Sequence, residues 1–243
     1  MNKKQAMITG GAILAKVLPN VTRACEIGIT TLEIDALATK LIKQYGGELS
    51  FTRVPGYNWA TCLSVNEVIV HGVPSSRKLV SGDVLKLDIG VYYEGYHVDY
   101  GDTFVIGKAD DKTSAFLKKG ADTLAEALKL VKTGEYIGAV SKVISDRIEG
   151  AGYKIIYELT GHTVGHELHE EPLIPGYLEK PIKKTPQFKA GSAYAVEIIY
   201  ALDDHFIEYC HDDGWSLCTT TRNLNGCFEN SVYVDNDETV VLV

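Results

Sequence analysis

The sequence predicts an α/β fold of the α+β type, with antiparallel strands and helices packed on one side. This prediction rests on a capped amphipathic helix near the N-terminus, on apolar strand-like stretches at 84–106, 194–202 and 227–243, and on an internal similarity between distant segments. No linker or low-complexity run divides the 243 residues. We therefore expect a single domain built from two halves, about 1–115 and 116–243.

The clearest helix signal starts at Thr30, which precedes Glu33 by the spacing of a capping box. Apolar residues then recur at helical spacing until Gly46-Gly47, a pair typical of a helix end. An earlier helix is predicted from Lys4 to about Leu18. Pro19 should break or kink it before a second stretch toward Cys25, because proline lacks the amide hydrogen that the helix needs.

The two halves show a weak, gapless similarity. At an offset of 106 positions Gly28 aligns with Gly134 and Gly46 with Gly152, and apolar residues between them stay in register. A duplication of this kind would place two similar units around a pseudo-two-fold axis, and a site on that axis would draw ligands from both units. Chance similarity between two amphipathic helices is the alternative.

Composition excludes several functional classes. The 32 acidic and 24 basic residues give a net charge of −8, which argues against nucleic-acid recognition and against binding to an anionic membrane. The apolar stretch Ala6–Leu18 is interrupted by two glycines and Lys16, so it is neither a membrane span nor a signal peptide. We expect a cytoplasmic protein.

The cysteines number five, an odd count, and form no C-x-x-C pair. A chain of this length does not need disulfides to stabilise its core. We expect all five to be reduced thiols, each packed as a small hydrophobic side chain. They are Cys25, Cys62, Cys210, Cys218 and Cys227.

A β-hairpin is predicted around Glu94-Gly95, a two-residue loop that ends in glycine. In this register Asp99 lies opposite Gly90, and Asp88 is diagonal to Asp99 on the same face. The apolar residues of both strands occupy the other, core-facing side. Two neighbouring acids repel each other, so a buried pair needs a raised pKa or a metal ion, whereas a solvated hairpin face would need neither.

Histidines cluster in the segment 161–172. His162 and His166 have the spacing of a helical zinc pair. Gly165 lies between them, however, and Thr163 stands where the helical zinc motif requires a glutamate. The alternation of polar and apolar residues suits an extended chain at least as well, and His166 alone is more typical of a histidine with an ordinary hydrogen-bond partner.

Glu197 and Glu229 lie within strongly apolar, strand-like stretches. Burying an unpaired carboxylate costs many kcal/mol, and Arg222 is the nearest basic residue to Glu229. A metal ion therefore suits them better than a salt bridge.

The candidate ligands form one set of two aspartates, two glutamates and one histidine. Four carboxylates carry a formal charge of −4, which matches two divalent cations. Oxygen ligands with one imidazole favour Mn, Fe or Co, with Zn or Mg as alternatives. Two such ions can deprotonate a shared water, so hydrolysis is the expected chemistry.

In order and spacing these residues resemble the type I methionine aminopeptidases. The resemblance covers nearly the whole chain and is carried by the segments Asn66–Pro74, Gly161-His162, His169–Pro172 and Asp213–Trp215, together with Asp88, Asp99, Glu197 and Glu229. It implies a single catalytic metallopeptidase domain with the pseudo-symmetric pita-bread fold. It also implies removal of the N-terminal methionine from peptides or nascent chains. A monomer in contact with the ribosome is a further expectation.

The resemblance also implies a role for each ligand. Asp99 and Glu229 would bridge two metals, Asp88 would hold one of them, and His162 and Glu197 would complete the other. A hydroxide between the metals would attack the scissile carbonyl.

The remaining roles concern the substrate. Glu197 would also shuttle a proton, while His71 and His169 would contact the peptide and stabilise the oxyanion. The resemblance implies a pocket for the first side chain formed by Phe51, Tyr57, Cys62, Leu168 and Trp215.

This pocket departs from the family pattern. Phe51, Val54 and Leu168 stand where bacterial relatives usually carry Cys, Tyr and Phe, so specificity for the first residue can differ. One alternative is therefore an X-Pro peptidase of the same fold, although those relatives carry an additional N-terminal domain for which Asp88 comes too early. A second alternative is a non-catalytic relative that binds protein or RNA, although such relatives typically have lost a metal ligand. A third is an α/β domain without catalytic function, whose acidic residues simply lie on its surface.

Overall fold

The computed structural model describes all 243 residues, with four α-helices and thirteen β-strands. The helices are α1 (Lys3–Ala24), α2 (Thr31–Gln44), α3 (Asp111–Ala127) and α4 (Ile137–Glu149). The strands are β1 (Glu48–Leu49), β2 (Thr61–Val65), β3 (Val68–Val70), β4 (Val84–Tyr93), β5 (Tyr96–Val105), β6 (Lys154–Ile155), β7 (Thr160–Val164), β8 (Glu170–Pro175), β9 (Ser192–Ala201), β10 (Ile207–Tyr209), β11 (Leu217–Thr219), β12 (Asn225–Val234) and β13 (Thr239–Val241).

Helix α2 begins as its sequence predicts. The Thr30 hydroxyl accepts a hydrogen bond from the Glu33 amide at 3.2 Å, and the Glu33 carboxylate accepts one from the Thr30 amide at 2.8 Å. Both bonds satisfy amides that have no partner inside the helix. The predicted capping box is confirmed.

Helix α1 is not divided at Pro19. The two predicted stretches form one helix that continues through Pro19 to Ala24, and the expected end near Leu18 is therefore wrong. Pro19 lies on the exposed side, whereas Val17 and Val21 on either side of it are fully buried. Packing of this apolar face offsets the hydrogen bond that proline cannot make.

The hairpin formed by β4 and β5 has the predicted register, with Gly90 opposite Asp99. Its loop residues Glu94 and Gly95 have φ values of 49° and 91°, as a two-residue hairpin turn requires. Asp99 is only 4% exposed, so the alternative of a solvated face is wrong. Both faces of this hairpin are covered.

All strand pairs in the main sheet are antiparallel, in the order β1-β4-β5-β12-β9-β7-β8, and β2, β6 and β13 pair beside this path. A separate three-stranded sheet has the order β10-β11-β3. The two halves meet where β5 pairs with β12, through Gly101 opposite Glu229 and Tyr100 opposite Asn230. The division of the chain at 115/116 stays a prediction.

Two apolar cores support the halves. One packs α1 and α2 against β4 and β5 through residues such as Leu14 and Leu87, and the other packs α3 and α4 through residues such as Phe116 and Tyr200. The helices cover the outer side of the sheet, which confirms the predicted α+β architecture. None of them is long and apolar enough to cross a bilayer.

The expectation that all five cysteines are reduced is wrong for two of them. Cys210 and Cys218 form a disulfide, with a Cα–Cα distance of 5.6 Å. Pairing of β10 with β11 puts Cys218 opposite Glu208 and so brings Cys210 alongside it, a proximity that sequence spacing does not reveal. The three other cysteines are free and buried.

Candidate metal centre and active site

The central strands collect the predicted metal ligands in one cavity of about 240 Å³. Each ligand lies on a different strand of the main sheet, and the pairing of β12 with β9 puts Glu229 directly opposite Glu197. The first half of the chain supplies two ligands and the second half supplies three. The five residues are Asp88 on β4, Asp99 on β5, His162 on β7, Glu197 on β9 and Glu229 on β12.

Three of these residues are close enough to share one ion. Ligand atoms of Asp99, His162 and Glu229 all lie within 4.8 Å of one another, and the three side chains are at most 4% exposed. His162 Nε2 lies 3.3 Å from Glu197 Oε1. The extended conformation of Thr160–Val164 also excludes a helical zinc pair of His162 with His166.

The carboxylates need a cation. Asp88 Oδ1 and Glu229 Oε1 are buried without a hydrogen-bond partner, and no lysine or arginine forms an ion pair with any of the four acids. Burial, and then repulsion from neighbouring acids, raises the pKa of Asp88 and of Glu229 well above the usual range. Burial raises the pKa of Asp99 to about 7. These oxygens and one imidazole fit divalent metal ions.

Neighbouring groups orient two of the ligands. His162 Nδ1 lies 3.0 Å from the Thr163 carbonyl. Because a carbonyl only accepts, Nδ1 carries the proton and Nε2 keeps its lone pair for a metal. The Asp99 amide donates to the Ser231 hydroxyl at 2.9 Å, and Ser231 is fully buried. Both contacts fix the direction from which a ligand atom enters the cavity.

His71 and His169 line the same cavity. His71 follows β3 and has a φ of 57°, a left-handed conformation uncommon for a residue with a side chain. The His169 ring packs edge-on against His162, with centroids 4.4 Å apart. Burial lowers the pKa of His71, and burial together with the neighbouring histidines lowers that of His169 to about 4. Both rings are therefore neutral at neutral pH.

A second cavity of about 100 Å³ adjoins the metal cavity and is largely apolar. The two cavities share His71, His169, Asp88 and Asp99. All the residues predicted to bind the first side chain of a substrate line this second cavity, and Val54 joins them: Phe51, Tyr57, Cys62, Leu168 and Trp215.

Local packing shapes this apolar cavity. Tyr57 and Trp215 pack edge to face with centroids 5.0 Å apart, and the Tyr57 hydroxyl donates to the Thr61 carbonyl at 2.8 Å. A Cβ on Gly90 would lie 2.9 Å from the Phe51 ring, so glycine at this position leaves room for Phe51. The β4–β5 hairpin thus packs against Phe51 and supports the aromatic side of this cavity.

The sequence reasoning missed several residues around the site. Cys227 lines the metal cavity, although the sequence identified it only as a small hydrophobic residue. Lys86 is 2% exposed, and its ammonium donates to the Asn66 carbonyl at 2.6 Å and to Asn225 Oδ1 at 2.8 Å. A charged residue within an apolar strand could have identified Lys86 from the sequence, as it identified Glu197. The Lys86 side chain supports the turn that leads into β3 and His71.

Known proteins share this fold and sequence. Residues 5–236 match metallopeptidase family M24, and the chain belongs to that family. It is 34% identical over 223 residues to a methionine aminopeptidase of Borreliella burgdorferi, covering 92% of this chain and 88% of the relative. It is 32% identical over 228 residues to methionine aminopeptidase 1 of Bacillus subtilis, covering 94% and 91%. These relatives place it among the methionine aminopeptidases.

Solved structures agree, and they confirm the predicted pita-bread fold. The methionine aminopeptidase of Thermotoga maritima superposes with a TM-score of 0.93 at 29% identity, covering 99% of this chain and 96% of that one. A prolidase from Pyrococcus horikoshii superposes with a TM-score of 0.78 at 18% identity, covering 99% of this chain and 61% of that one. The second similarity shows the shared fold alone.

Proposed function

We propose that this metallopeptidase removes the N-terminal methionine of polypeptides with two divalent metal ions held by its five cavity residues. The observation that carries the proposal is a buried cluster of four carboxylates and one histidine that opens directly into an apolar pocket. Carboxyl oxygens without hydrogen-bond partners supply sites for cations, and the adjoining pocket suits an apolar first side chain. Asp99 and Glu229 are proposed to bridge the ions, Asp88 to hold one, and His162 and Glu197 the other.

Each residue has a separate task in this proposal. Divalent ions in such a site activate water and polarise the scissile carbonyl. Glu197, 13% exposed at the cavity wall, takes up the proton of the attacking water and delivers it to the leaving amine. His71 and His169, both neutral, hold the peptide and donate hydrogen bonds to the developing negative charge. The apolar pocket holds the side chain of the first residue.

The finer assignments are part of the same proposal. Mn, Fe or Co are the expected metals, with Zn or Mg as alternatives. Phe51, Val54 and Leu168 are proposed to set the preference for the first residue. A monomer acting on nascent chains, in contact with the ribosome, remains our expectation.

The cytoplasm remains the proposed location. The disulfide between Cys210 and Cys218 is unusual for a cytoplasmic protein. Immunoblotting of cell fractions tests the location, and thiol labelling of the same fractions shows whether the disulfide between Cys210 and Cys218 is present there.

Peptide hydrolysis tests the function. Protein stripped with a chelator is given Mn, Fe, Co, Zn or Mg one at a time and assayed on Met-Ala-Ser, Ala-Ala-Ser, Leu-Ala-Ser and Ala-Pro-Ser. We expect release of methionine that depends on added metal. Release of another first residue would instead point to the altered pocket, and cleavage of Ala-Pro-Ser alone to an X-Pro peptidase. No release with any metal would contradict an enzymatic role.

Matched variants test the metal ligands. Asp99→Asn should abolish hydrolysis and reduce the bound metal measured by atomic absorption. Asp102→Asn is the control, because Asp102 lies on the same strand but outside the cavity. Full activity of Asp99→Asn would refute the bridging role.

A further inference from the structure

A groove of about 410 Å³ continues from the metal cavity. It shares Glu158, Thr160 and Leu173 with the metal cavity, and it shares no residue with the apolar pocket. The apolar pocket in turn joins the metal cavity through a different set of residues, which includes His71 and His169. The three spaces therefore form a row, with the metal cavity in the middle.

The groove has an apolar wall that the fold leaves open. Tyr157, Leu173 and Leu178 are 39%, 42% and 37% exposed. The rings of Tyr157 and Tyr177 pack edge to face with centroids 4.7 Å apart, and the Tyr177 hydroxyl donates to Glu179 at 3.0 Å. Neighbouring exposed apolar side chains beside a catalytic cavity are typical of a binding surface.

The groove is lined by more acidic than basic residues. Three glutamates, Glu158, Glu171 and Glu179, line it together with one basic residue, Lys180. Glu171 accepts a hydrogen bond from the Leu173 amide and Glu179 accepts one from Tyr177, so both carboxylates are held on the groove wall. A cationic side chain in the groove would meet an excess of negative charge.

We infer that this groove binds the third and later residues of the substrate polypeptide and favours a lysine or arginine among them. The inference rests on the proposed function, which puts the first side chain in the apolar pocket and the scissile bond in the metal cavity. An extended chain advances about 3.3 Å per residue, so the residues after the scissile bond must leave the metal cavity by its other end. The groove begins at this end of the metal cavity. Its apolar side chains contact the substrate polypeptide whatever the sequence of the substrate.

Peptides of two lengths and two charges test the groove. The tripeptide Met-Ala-Ser reaches only the start of the groove with its third residue, whereas Met-Ala-Ser-Lys-Ser and Met-Ala-Ser-Glu-Ser extend further into it. We expect the lysine peptide to have a kcat/KM about two- to fivefold above that of the glutamate peptide, as for other exposed charge pairs. The ratio should fall at high ionic strength.

Three variants separate the groove from a general charge effect. Glu179→Lys should reverse the preference, and Glu179→Gln, which keeps an acceptor for Tyr177, should give an intermediate ratio. Glu26→Lys makes the same change in net charge on the exposed loop after α1 and should leave the ratio unchanged. Glu26→Lys should also hydrolyse Met-Ala-Ser like the unmodified protein, and for each Glu179 variant the rates on the two pentapeptides are compared with that variant's own rate on Met-Ala-Ser.

A binding measurement makes the result independent of turnover. Fluorescence anisotropy of the product peptide Ala-Ser-Lys-Ser, labelled at its C-terminus, should show a Kd that Glu179→Lys weakens and Glu26→Lys does not. Normal hydrolysis of Met-Ala-Ser without any charge preference would overturn the groove and leave the proposed function intact. If Met-Ala-Ser is not hydrolysed, the proposed function fails, and the anisotropy measurement alone tests the groove. Weaker binding of the product peptide by Glu179→Lys than by the unmodified protein would support the groove. Equal binding by the two proteins would overturn it.

Discussion

The ion pair between Asp83 and Arg77 lies beside the turn that leads into β3 and His71, and it yields a quantitative prediction. Asp83 is 3% exposed, and Arg77 contacts both of its oxygens, at 2.8 and 2.9 Å. The Asp83 carboxylate also accepts from the Val80 amide at 2.9 Å and from Asn66 at 2.8 Å. Asp83→Asn removes the charge while keeping the shape, and it should lower the free energy of unfolding.

The size and the pH dependence follow from the pKa. Burial alone would raise the pKa of Asp83, but Arg77, the Val80 amide and Asn66 lower it from 3.8 to about 2. At about 1.36 kcal/mol per pH unit this corresponds to ~2.4 kcal/mol. Arg77 is 41% exposed, so solvent screening reduces the expected loss to about 1–2 kcal/mol. A lowered pKa means that this stability is present above pH 3.8 and is lost as the pH falls towards 2.

Urea unfolding at pH 7, 5 and 3, followed by circular dichroism, measures the effect. The difference between the unmodified protein and Asp83→Asn should be constant between pH 7 and 5 and should shrink by pH 3. Asp122→Asn is the control, because it makes the same substitution in an exposed i,i+4 pair with Lys118 and should change stability little. A difference that stays equal at every pH would refute the electrostatic reasoning.

Three further predictions concern metal, pocket and cap. Metal added at 100 times its Kd should raise the free energy of unfolding by about 2.7 kcal/mol, as measured by calorimetry. Asp102→Asn should keep this stabilisation and Asp99→Asn should lose it. Equal stabilisation of the two variants by metal would contradict the proposed metal site. Phe51→Ala, which removes a ring that is 4% exposed, should raise KM for Met-Ala-Ser by about tenfold with little change in kcat, whereas a fall in kcat alone would show that the ring acts on the transition state. Thr30→Ala should cost about 1 kcal/mol in urea unfolding by removing the cap of α2, and an unchanged midpoint would show that Glu33 caps the helix alone.

Local patterns predicted much of the fold. The β4–β5 hairpin followed from its turn residues and from strict alternation, because one shift in register would have moved Leu87 and Ile89 from the apolar core to the face that carries Asp88 and Asp99. Helix α1 was predicted to be interrupted at Pro19, because the packing of Val21 against the core, which holds the helix together there, is a tertiary effect that the local sequence does not show.

Contacts between distant segments were beyond the sequence. The Cys210–Cys218 bond depends on how β10 pairs with β11, and the groove forms where Tyr157 meets Tyr177. The grouping of the metal ligands came from the resemblance and from the cost of burying Glu197 and Glu229 in apolar strands. The alternation of polar and apolar residues predicted which side chains of a strand face the core, but it did not show which strands pair with each other.

The junction between β5 and β12 has a consequence for how this chain evolves. Two ladder pairs join the strands, one of which includes Glu229, and the Asp99 amide bonded to Ser231 and the Thr103 hydroxyl bonded to the Cys227 backbone extend the junction on either side. The apolar cores also cross between the halves, since the core beneath α1 and α2 includes Ala193, Tyr233 and Leu242. A substitution that shifts β12 against β5 therefore changes both the spacing of the oxygen donors and the packing of this core, so that neither half is free to diverge alone.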